Sequence, residues 1–303
     1  MQFADPRNDL AFKKIFGDEN HKNILISFLN SVLDFKNNKE IIEVTLINPY
    51  QLPDIKELKE TILDIKAKNK NDEEFIIEMQ RRDLGDFTKR SLYYTAKAYV
   101  QQLPSGKKKK DYENLKKVYY IAIVDFEIFD NLHYISRHLI INQETIKQDL
   151  EDFEFTFIEL AKFKKELKDL NSTIDKWIYF IKNASNLTII PKEFKQKPFE
   201  EAFNIATQTI WSEKELEIYE YMALKAFDEE NALRTAERKG EKRGEERGFE
   251  KGIEKGIEKG IEKGAKQRDI EIAKKSLLQG LDIQTIKIIT GLSEEFIKQI
   301  NRE

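Results

Sequence analysis

The stretch Ile62–Gln80, I-L-D-I-K-A-K-N-K-N-D-E-E-F-I-I-E-M-Q, constrains the fold more than any other part of the chain. Apolar and polar residues alternate along two arms joined by a polar turn, the period-2 signal of paired strands. Leu63, Ile65 and Ala67 share one face of the first arm, and Phe75, Ile77 and Met79 one face of the second. Those faces need a core, so Asp64, Lys66, Glu78 and Gln80 point the other way. Antiparallel pairing about Asn71 sets Ile65 opposite Ile77, Lys68 opposite Glu74 and Asp64 opposite Glu78. A slip of one residue would set apolar side chains across from charged ones.

Two carboxylates facing each other on neighbouring strands repel. A divalent cation would remove that penalty, since Mg2+ takes oxygen ligands, often one or two carboxylates with water and phosphate. The competing reading is a solvated strand face on which Lys66 and Lys68 neutralise the two acids.

The rest of the chain supplies layers around this hairpin. Residues 8–35 carry apolar side chains at helical spacing, broken at Gly17-Asp18 into two helices. Residues 41–48 read as a strand closed by Pro49, and Phe87–Leu103 as a helix ended by Pro104-Ser105-Gly106. Val118–Val124 is a continuous apolar run, the mark of a strand buried on both faces. His138–Ile141 and Phe153–Leu160 read as further strands. Residues 162–234 are mainly helical, with Trp177 and Trp211 against the core.

Composition narrows the function. The chain has 303 residues and no cysteine, which excludes disulfides and thiolate metal sites and fits a reducing, cytoplasmic setting. Its three histidines, His21, His133 and His138, form no spaced pair, so a zinc site is not expected. The first ten residues lack a secretory pattern, and no apolar run approaches membrane-spanning length. With a net charge of -3, contact with nucleic acid must come from a local basic surface.

From Gly240 the pattern changes. Glycine recurs every fourth residue through Gly264, and G-I-E-K is the unit between several of them. On a helix a period-4 row drifts by about 40° per step. The glycine row and the row Phe249, Ile253, Ile257, Ile261 therefore spiral side by side and allow two helices to approach closely. Each interior glycine costs about 1 kcal/mol of helix stability. The segment reads as a marginal helix ordered by pairing, or else as a charged, frayed spacer. In the tail, Gly280 is expected as a C-cap, Asp282 and Ser293 as N-caps, and Thr290-Gly291 as a turn. These short helices make a small helix-turn-helix or, as the scattered basic residues favour, a packing or oligomerisation cap.

Several segments in order resemble the Rpn family of recombination-promoting nucleases and transposase-like proteins, within the PD-(D/E)XK nuclease superfamily. They are N-D-L-A-F-K-K-I-F-G at Asn8–Gly17, L-D-I-K-A-K at Leu63–Lys68 and I-E-M-Q at Ile77–Gln80. R-S-L-Y-Y at Arg90–Tyr94 and V-Y-Y-I-A-I-V-D at Val118–Asp125 support them. The resemblance implies an α/β, restriction-endonuclease-like mixed sheet of four strands flanked by helices, with a helical C-terminal extension. The expected division is a nuclease core over 1–160, a helical extension over 161–235, the repeat segment over 236–266 and a small helical tail over 267–303. The implied activity is a Mg2+-dependent DNA endonuclease (Mn2+ or Ca2+ as alternatives), with DNA as partner and a dimer formed through the repeat segment. The alternative is a weakened nuclease fold that binds DNA or a protein without cutting.

By the same resemblance, Asp64 and Glu78 are the motif acids, and the Met79 carbonyl is a further metal ligand. Gln80 occupies the superfamily's lysine position. It can orient water but carries no charge, so another cation must help, and Lys66 is the nearest in sequence. Asp9 is either a further metal ligand or, with Asn8, a helix cap. Lys13 lies one turn beyond Asp9, could face the same site and is a candidate DNA contact. Arg90, Tyr93, Lys97 and Gln101 form a stripe that either tracks phosphates or is a solvated face. Lys107–Lys110 reads as a solvated loop or a DNA contact.

Overall fold

The computed structural model describes residues 2–47, 50–51, 61–62, 64–83, 85–103 and 112–300. Pro49, Leu63, Pro104-Ser105-Gly106 and Lys107–Lys110 lie outside the described residues. Two compact units are present, Met1–Lys225 and Ala226–Glu303.

The first unit begins with two helices, α1 (Asp9–Phe16) and α2 (Lys22–Leu33), separated at Gly17-Asp18 as the sequence predicts. The strands are β1 (Val44–Ile47), β2 (Tyr50–Gln51), β3 (Thr61–Ile62), β4 (Ile65–Asn69) and β5 (Glu74–Gln80). After helix α3 (Phe87–Gln101) come β6 (Val118–Val124), β7 (Ile135–Leu139) and β8 (Phe153–Glu159). Helices α4 (Thr173–Asn183) and α5 (Phe199–Ala206) follow, and then α6 (Glu213–Leu278) begins.

Strands β2 and β3 pair by themselves; the other six form one mixed sheet in the order β1-β4-β5-β6-β8-β7. Pairing is parallel for β5–β6 and β6–β8 and antiparallel elsewhere in that sheet. The hairpin register is the expected one, with Ile65 opposite Ile77 and Lys68 opposite Glu74. The sheet is wider than the four strands the resemblance implies, and β7 begins earlier than His138.

One sheet face carries Ile65, Ala67, Phe75, Ile77, Tyr119, Ile121 and Ile123 into the main core with α1, α2, α4 and α5. Trp177 sits fully buried there, its indole N–H donating to Ser27 Oγ at 3.1 Å. Trp211 is buried in a smaller cluster with Ala4 and Ala11.

The second face corrects the hairpin reading. It is covered over most of its length rather than solvated. Ile76, Tyr120, Ala122 and Val124 pack there against Phe87 and Ala98 of α3. Lys66, Glu74 and Glu78 on that face are buried as a result. The cause is the parallel crossover, which lays α3 across the sheet between β5 and β6.

The second unit contains the rest of α6, then α7 (Ile283–Thr290) and α8 (Glu294–Ile300). The glycine repeat is helical throughout and exposed, and a Cβ built on any of Gly240 to Gly264 meets nothing within 4 Å. The tail caps fall where expected. Gly280 takes φ +79° and Gly291 φ +70°, both left-handed, as glycine allows. Asp282 accepts from the Gln284 and Thr285 N–H groups at 3.0 Å, and Ser293 from Phe296 at 3.3 Å. Ala273, Ile286 and Ile297 close a small core.

Candidate active site

The hairpin, α1 and α3 together position the acidic pair. Asp64 directly precedes β4, and Glu78 lies near the end of β5, beside Ala122 of the parallel strand β6. Asp64 Oδ2 accepts the Met79 N–H at 2.7 Å, and the Asp64 amide faces the Glu78 carboxylate. Each acid is thus held by the backbone of the other's strand, and the Asp64 charge adds to the cost of ionising Glu78.

Glu78 is 9% exposed, and its Oε1 has no hydrogen-bond partner among the described residues. Burial, followed by the Asp64 charge, pushes its carboxyl well above the usual range. Asp64 is pushed up to about 7, first by burial and then by the hydrogen bond its protonated carboxyl donates to Asp9. Buried like charges of this kind cluster at functional sites.

Helix α1 brings Asp9 and Lys13 to this pair. Asn8 is the helix cap, its Oδ1 accepting from Leu10 and Ala11. Asp9 is therefore released from capping, contrary to one of the two readings above, and turns toward Asp64. Lys13 Nζ lies 2.9 Å from Asp9 Oδ1 and 3.5 Å from Asp64 Oδ1. Burial works against its charge, yet Asp9 and Asp64 raise its pKa above the ordinary lysine value.

Lys66 does not make the ion pair at Asp64. Its ammonium lies 2.9 Å from Glu74 Oε2, and Lys68 is 3.2 Å from the same carboxylate. Glu74 is the diagonal neighbour of Lys66 across the hairpin and is buried with it, so the two neutralise each other. Gln80 Nε2 donates to the Arg82 carbonyl at 3.0 Å. Met79 sends its side chain toward the main core.

On α3 the polar stripe divides. Arg90 is half-buried, paired with Asp86 at 3.1 Å and stacked over Phe87, and its charge faces Glu78. Tyr93 is 43% exposed, with Lys97 Nζ 5.9 Å from its ring centroid. Lys97 and Gln101 flank the buried row Phe87, Ser91, Thr95, Ala98. The sequence reading missed the buried Tyr120 hydroxyl, which faces Glu78 and Ser91 from β6. Its signal was the pair Tyr119-Tyr120 in an otherwise aliphatic strand, which sends one of the two hydroxyls to each sheet face.

Among the described residues no three His, Cys, Asp or Glu side chains converge as a metal-binding group. The acidic pair nevertheless fits a hard divalent cation, which commonly uses one or two carboxylates and leaves other positions to water and phosphate. The buried Glu78 Oε1 without a partner is the oxygen such an ion would satisfy.

A mixed sheet sandwiched by helices, with paired acids at the end of a strand shared by its parallel and antiparallel halves, defines the restriction-endonuclease-like class. The chain belongs to the PD-(D/E)XK nuclease family transposases, whose family model matches residues 6–236. Residues 266–302 match the C-terminal helix-turn-helix domain of the Rpn/YhgA-like nuclease family. That match corrects the preference for a packing cap in the tail. No curated protein and no solved structure matches the chain.

Proposed function

We propose that this protein is a metal-dependent DNA endonuclease acting in recombination or transposition of mobile DNA. The observation that carries the reading is the Asp64–Glu78 pair, two carboxylates held by one hairpin at the C-terminal end of β5, where ligands of open α/β sheets commonly bind. Hydrolysis adds water across one phosphodiester bond: a P–O bond to the water oxygen forms, the bond to a sugar oxygen breaks, and the protons end on that oxygen and in solvent. Asp64 and Glu78, with Asp9 beside them, would hold Mg2+, and Mn2+ or Ca2+ suit the same oxygen donors. A bound divalent cation supplies Lewis acidity and charge neutralisation. The Met79 N–H fixes the rotamer of Asp64, and Gln80 lies at the same strand end to orient water.

The α3 stripe of Arg90, Tyr93, Lys97 and Gln101 would contact phosphates, and the helix-turn-helix tail would bind DNA by its own surface. Pairing of two copies through the glycine repeat would set one site on each strand. The cysteine-free composition fits work in the cytoplasm.

A second reading, a weakened nuclease that binds without cutting, is favoured by Gln80 in the lysine position and its turn toward Arg82. Plasmid cleavage in Mg2+, Mn2+ and Ca2+ separates the two. Nicked or linear product from the wild type, reduced about a hundredfold or more by Glu78→Ala, supports the enzyme. Intact plasmid in all three metals supports the weakened form. Asp64→Ala is expected to abolish cutting while retaining DNA affinity.

A further inference from the structure

The motif position for a cation holds Gln80, yet the site has a cation of its own that comes from another element. We propose that Lys13 of α1 is the catalytic cation of this site and contacts a non-bridging oxygen of the phosphate under attack. The proposal rests on the hydrolytic reading of the Asp64–Glu78 pair and names the group that completes it.

Lys13 Nζ already stands among the acids, 2.9 Å from Asp9 and 3.5 Å from Asp64. Its position is built rather than incidental. Phe12, Ile15 and Phe16 of the same helix are fully buried or nearly so, and Asn8 caps the helix. Lys14, the next residue, points elsewhere, to Glu215 and over the Trp211 ring. The Lys13 side chain remains 36% exposed, so a ligand can reach it. An ammonium has three N–H donors. Asp9 and Asp64 engage at most two of them, which leaves one for a phosphate oxygen.

Of the neighbouring cations, Lys66 and Lys68 pair with Glu74, and Arg90 pairs with Asp86 while facing Glu78 from α3; Lys13 is paired with Asp64 itself. A flexible lysine stem reaching from a helix can put its charge where a strand lysine at position 80 would have put it. The ammonium gives up no proton in this role. It stabilises the negative charge that develops on phosphate as the water oxygen adds.

The test uses the full chain and the variants Lys13→Gln, Lys13→Arg, and Lys13→Gln combined with Gln80→Lys. Lys13→Gln is expected to lower single-turnover cleavage at saturating Mg2+ by about a hundredfold or more, with Mg2+ affinity by calorimetry within a few-fold of wild type. Lys13→Arg should keep part of the activity. The combined variant should regain at least tenfold over Lys13→Gln, because the charge is returned from the strand; a lysine that only braced Asp9 and Asp64 would not be replaced in this way. An unchanged cleavage rate in Lys13→Gln, or a loss that Gln80→Lys leaves untouched, overturns the proposal. So does a rise in Mg2+ affinity with cleavage retained, which would make Lys13 a mere stand-in for the metal.

A second measurement keeps the outcome separate from that of the nuclease reading. Binding of a short DNA duplex in Ca2+ is followed against salt. Loss of one phosphate contact lowers the log–log slope by about 1. If the wild type cuts nothing, the nuclease reading fails. Lys13 is then decided by this slope: a reduced slope in Lys13→Gln supports phosphate contact, and an identical slope overturns it.

Discussion

Replacing Asp64 with asparagine should stabilise the metal-free protein, and by an amount that depends on pH. The folded Asp64 carboxyl keeps its proton up to about 7, against an ordinary value of 3.8. The native state therefore binds the extra proton between those values and loses stability as pH rises across them; above about 7 the penalty is constant. At about 1.4 kcal/mol per unit the ceiling is about 4 kcal/mol. The side chain is 14% exposed and gives up its attraction to Lys13, so an observable gain of ~2 kcal/mol is expected. Asparagine keeps the acceptor for the Met79 N–H and can donate to Asp9. Urea unfolding in EDTA, followed by fluorescence of the buried Trp177 and Trp211, reads the first unit directly. Asp64→Asn should exceed wild type at pH 8, with less than half of that gain left at pH 5. In a thermal scan the gain at pH 8 corresponds to ~4–8 °C. Mg2+ should raise the wild-type midpoint more than the variant's. An asparagine variant equal to or weaker than wild type at pH 8, or a gain that persists in full at pH 5, refutes the electrostatic account of the site.

Other perturbations probe the frame. Glu159 is fully buried, accepts from the Ile128 N–H at 2.7 Å and pairs with Lys162 at 2.8 Å. Glu159→Ala strands that lysine and should cost about 3–5 kcal/mol; a urea-derived loss under about 1 kcal/mol would contradict a working ion pair. Trp177→Ala opens the centre of the main core, and calorimetry should show a loss of about 3–5 kcal/mol. Gly252→Ala and Gly256→Ala place a Cβ in open space. Each should strengthen the helix by about 1 kcal/mol, visible as greater helical circular dichroism on warming. If sedimentation also shows weaker self-association, the glycine row packs against another helix.

Local patterns carried much of the architecture. Alternation in Ile65–Lys68 and Glu74–Met79 set the hairpin register, and the glycine and Asx positions of the tail set its caps, because both depend on residues close in sequence. The burial of Lys66, Glu74 and Glu78 was not read, although the Val118–Val124 run already required cover on both sheet faces. Ile76, standing among the charged residues of the hairpin's second face, was the overlooked sign. The partner of Lys66 was misread because a diagonal cross-strand neighbour competes with a same-face neighbour two residues away. Spacing placed Lys13 on the same side as Asp9, but nothing in a two-turn helix tells that its ammonium will also meet Asp64, a carboxylate distant in sequence. In the tail, a scarcity of basic residues weighed too heavily against a helix-turn-helix.

The hairpin has one more implication. Its two acids are separated by a single short loop, so they find each other early and locally, with little loop-closure entropy to overcome. Lys13 reaches Asp64 from a separate element, whose place depends on the packing of Phe12, Ile15 and Phe16. On the proposed roles, grip and push come from different elements: a variant that loosens the first helix should keep the two hairpin acids for a cation, yet lose the Lys13 charge.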